Sequence, residues 1–576
     1  MLPVSIPFIS TCIPKRDLSQ NILIVQLPAE PPGLHPTNDN NAYQKLIFQS
    51  TQRRLIKYNP DSGKYIPDLL VFYPILINDS LSYSCVLRND VTWDDGSFIS
   101  YADLLFTLKM IICPLTKNPD QKSFFSQLKS IKQDAENPRQ FTLELKERFF
   151  NGEGMFSSLY LLQKKVWDPS GVMDKFSIEQ FTDPTFNAND YAELVSFTDQ
   201  FNHPDNARVP SRLQGLGPYR VSEWETGSYI KLIKKKENKA CKNCEIVGPE
   251  IIIFRVIQHM ESLVLSLKKQ EIDVSLDLSS AGLVKLQKRA YFHKNYHSGL
   301  IGSSIYTYFG MNMKPGENRM PYFTDLNTRK ALAMLAPLNE ILEVSTKGTG
   351  KRMTSFVLPE SPAYNDKIPL IDYNLREAVG LLEKAGWIDQ NHDGIREKLI
   401  GNKRVKFSFS LMYMMTPPAK EIAGMIRRSF SKAGIEVLPE PLDFAVFYES
   451  ASMHQFDAML GSWSSPIGEE DPRQLWHTEN WKNNGSNFVG FGNAKTDALI
   501  DAMNKEMSKE KRLILLKDFQ RIVADNYPYV FLFNATKKTA VHKRFQKTKL
   551  FPESPNIILN QLLIQPNPKE SSPTIF

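Results

Sequence analysis

Alternating and periodic apolar positions predict strands and helices along most of the chain. The runs ILIVQL (22–27) and IIIFRVI (251–257) are typical of buried strands, and FTLELK (141–146) alternates as a half-buried strand does. Apolar residues at helical spacing predict a helix over 43–58 that runs toward the turn NPDSG. The stretch YRVSEWETGSYIKLIKK (219–235) predicts a hairpin that turns at its ETGS.

The stretch VTWDDGSFISYADLLFTL (91–108) combines three local signals. A short strand with Val91 and Trp93 on one face leads into a turn, where Gly96 can adopt a positive φ without steric cost. Ser100 then precedes an apolar-faced helix, so its hydroxyl can accept from an unpaired N–H of the first turn, where Asp103 is favourable. The pattern predicts a strand, a turn and a capped helix.

Strands and helices also succeed one another in the second half of the chain. Strands are predicted at YTYFGMNM (306–313), KFSFSLMY (406–413), IEVLPEPL (435–442) and FDAMLGSW (456–463), and helices near 325–336, 374–386 and 419–433. A similar series occupies the first half, where helices follow buried strands. The pattern predicts two separate α/β lobes with helices covering mixed sheets.

Length and composition indicate a globular protein with several folding units. The 576 residues suggest three or four units, and 42% hydrophobic residues are enough for several cores. The net charge of +7 comes with only short basic clusters, which favours a solvated surface over a nucleic-acid groove. No apolar run in the body of the chain approaches the ~18 residues of a membrane-spanning helix.

The N-terminal dozen MLPVSIPFISTC ends in Cys12 and resembles a shortened lipoprotein signal. We expect lipidation of Cys12 and a polar tether behind it; the alternative is a frayed apolar terminus. The remaining cysteines, Cys85, Cys113, Cys241 and Cys244, are too few for a disulfide framework. The lone C-x-x-C of ACKNCE (240–245) indicates a surface disulfide or free thiols, with metal or redox chemistry as the alternative.

Motifs of catalysis and cofactor binding are missing or incomplete. The chain contains no H-E-x-x-H and no G-x-S-x-G at a strand-to-helix elbow. STKGTGKR (345–352) lacks the first glycine and the Ser or Thr of a phosphate loop, and DQNHDGIREK (389–398) leads to Ile400 where an EF-hand has glutamate. We therefore expect no catalytic residue, no cofactor and no metal, and interpret 389–398 as a polar turn.

Taken in order, these pieces resemble the extracellular solute-binding proteins of family 5, the oligopeptide, dipeptide and nickel receptors of ABC importers. The resemblance rests on VTWDDGSFISYADLLFTL and on GLGPYRVSEWETGSYIKL (215–232), LKKQEIDVSL (267–276), FTDLNTRKALAML (323–335), REAVGLLEKAGWIDQNHDG (376–394) and QFDAMLGSW (455–463). Each motif is weak alone, and the collinear set covers about residues 21–565.

The resemblance implies an α/β fold of two lobes, like the type II periplasmic binding proteins, with an additional inserted domain. Residues 1–20 would form the signal and tether, and the segments 21–44, 212–305 and 534–565 would form lobe I. Residues 45–211 would be the inserted domain and 306–533 lobe II. The lobes would pivot about the strands near 306–313 and 529–537.

The resemblance further implies a receptor that closes over a peptide and presents it to an ABC permease, with no chemistry on the ligand. We expect a periplasmic or cell-envelope monomer, anchored by lipid at Cys12. The alternatives are a receptor for a non-peptide solute and an envelope docking or chaperone-like protein; a hydrolase would need a nucleophile and base that the motifs do not provide.

The candidate ligand-binding residues are Glu30, Tyr308, Trp463, Glu469, Glu470 and Asp471. Peptide receptors of the family place an aspartate for the ligand's ammonium just after the tryptophan near 463, whereas the third residue after Trp463 is Pro466. The acidic cluster 469–471 follows and is the expected ammonium anchor. Trp463 and Tyr308 would be aromatic walls, with Glu30 at the opposite lip.

Overall fold

The computed structural model describes residues 16–37, 42–59, 62, 64–77, 81–118, 121–122, 125–150, 152–235, 248–316, 319–465, 471–483, 485–546, 549–553 and 555–565. Both α-helices and β-strands are distributed over these ranges, which confirms the predicted α/β class. Within them, no helix combines the length and the apolar character needed to cross a membrane.

The strands of the described ranges are numbered in chain order. They are β1 (Ile22–Leu27), β2 (Ile56–Asn59), β3 (Lys64–Pro67), β4 (Ile75–Ile77), β5 (Ser82–Val86), β6 (Leu128–Gln133), β7 (Gln140–Leu145), β8 (Tyr219–Glu225), β9 (Tyr229–Lys234), β10 (Ile251–Val256), β11 (Val274–Ser275), β12 (Tyr296–Met311), β13 (Glu397–Ile400), β14 (Lys403–Lys406), β15 (Ser408–Met414), β16 (Glu436–Leu442), β17 (Ala458–Ser464), β18 (Tyr529–His542), β19 (Phe545–Gln546) and β20 (Leu563–Ile564).

The α-helices are numbered in the same way. They are α1 (Ala42–Thr51), α2 (Tyr101–Ile112), α3 (Gly152–Ser158), α4 (Lys164–Trp167), α5 (Ile178–Thr182), α6 (Ala192–Phe201), α7 (Met260–Lys268), α8 (Ser280–Gln287), α9 (Ala290–Asn295), α10 (Leu326–Leu335), α11 (Leu338–Thr346), α12 (Leu375–Lys384), α13 (Pro417–Ser431), α14 (Phe444–Ser452), α15 (Arg473–Trp476), α16 (Glu479–Lys482), α17 (Ala494–Lys505) and α18 (Lys509–Asn526). Short 3₁₀ helices occupy Val172–Lys175, Ala188–Asp190, Pro204–Ala207, Pro210–Arg212 and Leu559–Gln561.

One ten-stranded sheet runs through both lobes in the order β16-β15-β17-β12-β18-β11-β1-β10-β9-β8. The antiparallel pair β12–β18 is its long central element, from Tyr296 opposite His542 to Gly310 opposite Tyr529. The two predicted lobes are therefore joined by one hydrogen-bonded sheet, which the sequence pattern did not predict. The residue boundaries of lobe I, lobe II and the inserted domain stay predictions, and we keep these names for description.

The inserted domain contains the four-stranded sheet β4-β5-β7-β6 and the motif around Trp93. Ser100 caps α2 in a capping box with Asp103, and Gly96 has a φ of 84°, so the predicted turn and cap are confirmed. Trp93 is 2% exposed, and its indole N–H lies 3.4 Å from an Asp103 carboxylate oxygen. The predicted strand is reduced to a single bridge between Thr92 and Phe98, because the chain reverses at once.

The helix predicted over 43–58 ends at Thr51, and residues 56–59 form β2 instead. Contacts from distant residues cause the change. Arg53 donates to the Asp68 carboxylate at 2.8 Å, and the Leu55 carbonyl accepts from the Asp68 amide at 3.0 Å. These bonds extend the backbone after residue 51, although the apolar spacing alone would continue the helix.

Candidate functional site

The three parallel strands β15, β16 and β17 of lobe II end at the same edge of the sheet. In open α/β sheets, ligands bind outside the carboxyl ends of the strands. Strand β17 runs antiparallel to β12 and ends opposite its middle, since Ser464 pairs with Ile305. The Ser465 amide continues this pairing by donating to the Ser304 carbonyl at 2.7 Å.

The parallel strands β1, β10 and β11 of lobe I end near the same place from the other side. After β11, the Leu278 amide donates to the Lys538 carbonyl at 3.0 Å, so this segment also leads toward the middle of β12–β18. The ladder between β12 and β18 shifts register between Gly302 and Tyr306. The two carboxyl edges thus converge on an irregular stretch of the central strands, where we place the candidate cleft.

Trp463 lies at this edge, at the end of β17. Its side chain is half-buried, its indole N–H lies 3.4 Å from the Tyr529 hydroxyl, and its ring stacks on Phe488 at 5.5 Å. The predicted aromatic residue Tyr308 is only 1% exposed and stacks on Tyr529 with 3.9 Å between centroids. Burial raises the pKa of Tyr529 to about 12, so its hydroxyl remains a neutral hydrogen-bonding group beneath Trp463.

Gly461 allows this arrangement of aromatic rings. A Cβ atom at this glycine would lie 2.4 Å from the Tyr308 ring. Only the absent side chain lets the ring pack against the β17 backbone, because the interior leaves no space for a shift of that size. The sequence of β17 therefore positions Tyr308 and Tyr529 below the edge of lobe II, with Trp463 above them.

An aromatic row extends from Trp463 to the surface and was missed by the sequence reasoning. Phe488 is followed by Tyr448 at 5.9 Å, and Tyr448 by Phe444 at 6.1 Å. The exposed fraction rises from 3% at Phe488 to 40% at Tyr448 and 65% at Phe444. The available signal was the spacing of Phe444 and Tyr448, which places both on one face of α14 directly after β16. We call Trp463, Phe488, Tyr448 and Phe444 the aromatic row.

Glu30 lies beyond the end of β1 on the lobe I side. One of its carboxylate oxygens accepts from the Trp224 indole at 2.6 Å, and the other accepts from the Gly227 amide at 3.2 Å. Both oxygens are engaged by the tip of the β8–β9 hairpin. Glu30 therefore fixes the hairpin against the end of β1 in this conformation.

Asp471 belongs to a polar cluster at the start of α15. Its carboxylate accepts from the Arg473 amide at 2.9 Å, and burial raises its pKa. Arg473 in turn pairs with Asp501 at 2.5 Å and with Glu479 at 3.0 Å. Glu469 and Glu470 lie outside the described residues, as do Cys12, Cys241 and Cys244.

The inserted domain contacts lobe II through its segment 147–150. The Phe150 amide donates to the Asn504 carbonyl at 2.9 Å, and the Arg512 guanidinium lies 4.4 Å from the centre of the Phe150 ring. Nearby, the Lys505 ammonium lies 2.7 Å from the Glu147 carboxylate. We call these three interactions the closure contacts, because a movement of the inserted domain away from lobe II would separate their partners.

The two segments that partly match ligand-binding motifs, 389–398 and 345–352, form local turns and contacts. In the segment 389–398, Asp393 pairs with Lys406 at 2.6 Å, and the Gly394 amide donates to Asp389. The segment 345–352 begins at the end of α11, where Lys347 is left-handed with a φ of 53°. Across the part of the chain that the structure describes, no group of three or more His, Cys, Asp and Glu side chains could hold a metal ion.

Comparison with known proteins gives consistent similarities. The family model "Bacterial extracellular solute-binding proteins, family 5 Middle" matches residues 76–485. The oligopeptide-binding protein AppA of Bacillus subtilis (strain 168) is 25% identical over 492 residues, which are 83% of this chain and 80% of that protein. Its structure in complex with a nonapeptide matches with a TM-score of 0.77 at 21% identity, covering 95% of this chain and 99% of that one. NikZ from Campylobacter jejuni in complex with Ni(L-His) matches with a TM-score of 0.72 at 20% identity, covering 92% and 95%.

Proposed function

The chain belongs to family 5 of the bacterial extracellular solute-binding proteins, and from this premise we propose that its cleft captures short peptides for uptake. The protein is a substrate-binding receptor of an ABC importer and acts outside the cytoplasmic membrane; it is not an enzyme. Closure of two lobes over the solute buries it from water, and the closed form is presented to the permease. The peptide as ligand is the part that we propose.

The aromatic row is the observation that supports a peptide most directly. Its outer members are exposed beside the carboxyl ends of three parallel strands, where they can cover apolar side chains of an extended ligand. The exposed Met414 and Met415 add adaptable apolar surface at the end of β15. A surface of this kind accepts varied side chains, as a receptor for mixed peptides requires.

We propose the acidic cluster 469–471 as the binding site for the ammonium end of the peptide ligand. Asp471 follows the segment after β17 and is held beside Arg473. Glu469 and Glu470 directly precede it in the sequence. We propose that these carboxylates face the ligand's α-ammonium, with Trp463 as an aromatic wall and Glu30 at the opposite lip. Tyr308, predicted as a second wall, is 1% exposed and stacks on Tyr529, so it does not face the ligand.

Calorimetry with a peptide library tests this assignment. The variant Glu469→Ala/Glu470→Ala/Asp471→Ala should lose about a hundredfold or more in affinity for peptides with a free amino end, as expected for a buried charge pair that loses one partner. The matched control replaces three acids on outer helices, Glu421, Asp518 and Asp525. Unchanged affinity, or a preference for blocked peptides, would contradict the ammonium anchor.

A second pair of variants tests the aromatic row. Phe444→Ser should weaken peptides with large apolar side chains by about tenfold, because the ring is 65% exposed and free to cover them. Leu399→Ser, at 64% exposure in the β13–β14 hairpin, removes a similar apolar surface elsewhere on lobe II. An equal effect of both substitutions would show that the row is not part of the site.

A receptor for a non-peptide solute is the second candidate function. It is favoured by Pro466, which stands where peptide receptors of the family carry their ammonium anchor. Native mass spectrometry of the purified protein separates the two, since a retained ligand reveals its mass. A retained metal complex or sugar would replace the peptide; no saturable small ligand at all would favour the docking or chaperone-like alternative.

We also propose that Cys12 is lipidated and anchors the receptor at the membrane. This proposal rests on the apolar residues that precede Cys12 and on the polar stretch that follows it. A cysteine that carries several acyl chains anchors stably, whereas one chain is marginal. Cys12→Ser should release the protein from the membrane fraction; retention of the variant, or a mature chain that begins at Met1, would overturn the proposal.

A further inference from the structure

Exposed cations collect on one outer surface of lobe I. The four residues Lys285, Lys288, Arg289 and Lys294 lie on or beside α8 and α9, and all are exposed. Among the residues that the structure describes, none of the four forms an ion pair with an acidic side chain within 4.0 Å. We call these four residues the basal surface. Four neighbouring cations without an ion-pair partner favour a positive potential at this surface.

A groove in the basal surface combines these charges with apolar side chains. It has a volume of about 530 Å³ and lies where α8 of lobe I meets the end of α11 of lobe II; its lining residues are Ala281, Val284, Lys285, Lys288, Arg289 and Lys347. Val284 is 44% exposed, although its neighbours Leu283 and Leu286 are buried in the core of lobe I. Cations around a small apolar floor suit a phosphodiester with an attached glycerol group.

The described N-terminal segment joins lobe I beside this surface. Arg16 pairs at 2.8 Å with Asp273, and Arg544 donates to the Leu18 carbonyl at 2.7 Å. The adjacent Lys543 donates from its backbone to the Asn295 carbonyl at 2.8 Å, and Asn295 is the last residue of α9. The segment that begins at Arg16 and the helix α9 are therefore held together through residues 543 and 544.

The sequence limits how far Cys12 can be from this place. Cys12 precedes Arg16 by four residues, which span at most roughly 14 Å when fully extended. The Debye length at physiological ionic strength is about 8 Å. A group attached at Cys12 is thus held within about two Debye lengths of the point where Arg16 contacts lobe I.

We propose that the basal surface docks lobe I onto an anionic phospholipid bilayer, with lipid phosphates in the groove beside Val284. Charge complementarity and the position of the N-terminal segment both indicate this partner. The docking goes beyond capture of the solute and does not require the peptide assignment. It acts together with an anchor at Cys12, but the surface binds anionic vesicles without one.

Vesicle co-sedimentation tests the proposal with the full chain carrying Cys12→Ser, so that no acyl chain contributes. The vesicles contain either phosphatidylcholine alone or phosphatidylcholine with phosphatidylglycerol. Each Lys or Arg near an anionic membrane changes the partition coefficient by about fivefold, so Lys285→Glu/Lys288→Glu/Arg289→Glu should reduce binding to the anionic vesicles by at least about a hundredfold. Raising the salt concentration to 1 M should abolish the preference for anionic vesicles, because the Debye length falls to about 3 Å.

A matched control carries Lys384→Glu/Lys420→Glu/Arg427→Glu, three exposed residues of α12 and α13 in lobe II that give the same change of net charge. This control should retain most of the binding to anionic vesicles. Equal loss in both triple variants would show an effect of net charge alone and would overturn the proposal, as would equal binding to both kinds of vesicle. The basal variant should keep its affinity for the solute, which separates this test from those of the proposed function.

Discussion

The contact between Phe150 and Arg512 joins the inserted domain to lobe II, and we expect its removal to weaken ligand binding without unfolding either lobe. The guanidinium lies 4.4 Å from the ring centre, and both side chains are half-buried. Cation–π contacts contribute about 0.5–1 kcal/mol at exposed sites and about 2 kcal/mol when desolvated. Loss of about 1 kcal/mol of contact energy lowers the population of the closed form, and with it the apparent affinity for the ligand, by about fivefold.

The measurement is a double-mutant cycle on the dissociation constant of the bound solute, determined by calorimetry. Phe150→Leu keeps apolar volume but removes the aromatic face, and Arg512→Gln removes the charge. Each variant should lose about fivefold in affinity, and the double variant should lose little more, because both substitutions remove the same interaction. Losses that simply multiply, or an unchanged affinity in all three variants, would refute the assignment of this contact to closure.

The neighbouring ion pair supplies a matched control cycle. The Glu147 and Lys505 side chains are 46% and 54% exposed, so their coupling should be about 0–1 kcal/mol and should decrease with added salt. The free energy of unfolding without ligand, measured in parallel, should stay within about 0.5 kcal/mol for both charge-removing variants of this pair. A large change in that quantity would indicate a role in folding rather than in closure.

Four further variants have expected effects on stability. Gly461→Ala should destabilise the fold by about 1–3 kcal/mol in denaturant titrations because its Cβ meets a tyrosine ring at 2.4 Å, whereas Gly380→Ala, in α12 with no atom within 4 Å, should stabilise it by about 1 kcal/mol. Asp273→Asn should cost about 3–5 kcal/mol by the same measurement, since it leaves two arginines without their buried carboxylate; a change below 1 kcal/mol would contradict this. Burial lowers the pKa of His542 to about 4, below its value of about 6.5 in the unfolded chain. The unfolded state therefore binds a proton first, and the free energy of unfolding should fall as the pH is lowered from 6.5 to 4. His542→Gln should flatten the pH profile in that range.

Local patterns were sufficient for most elements. The cap at Ser100, the strand at 22–27 and the hairpin at 219–235 follow from side-chain spacing and turn chemistry, and the structure contains all three. The prediction of a helix over 43–58 was wrong in its second half because Asp68, which is distant in sequence, binds residues 53–55. Long-range partners decided the backbone there.

The shared sheet and the aromatic row could not be predicted from local sequence patterns, each for a different physical reason. The first half of β12, YHSGLIGSS, has little alternation and two glycines, so its pairing with β18 depends on residues far along the chain. Phe444 is exposed, and an exposed aromatic residue gives no periodic core signal. Trp463 was placed correctly at a strand end because the apolar run of β17 is strong, although its partner Tyr529 could be identified only in three dimensions.

The bond between Arg544 and the Leu18 carbonyl also has a consequence for biosynthesis. Arg544 binds the Leu18 carbonyl, which is 526 residues earlier in the chain. The contacts around the first strand of lobe I are therefore complete only after most of the chain has been synthesised. Contacts of such high sequence separation form slowly, whereas the four-stranded sheet of the inserted domain uses nearby segments and can form early. A growing chain therefore leaves lobe I incompletely folded until translation is almost finished, whereas the inserted domain can already have its final shape.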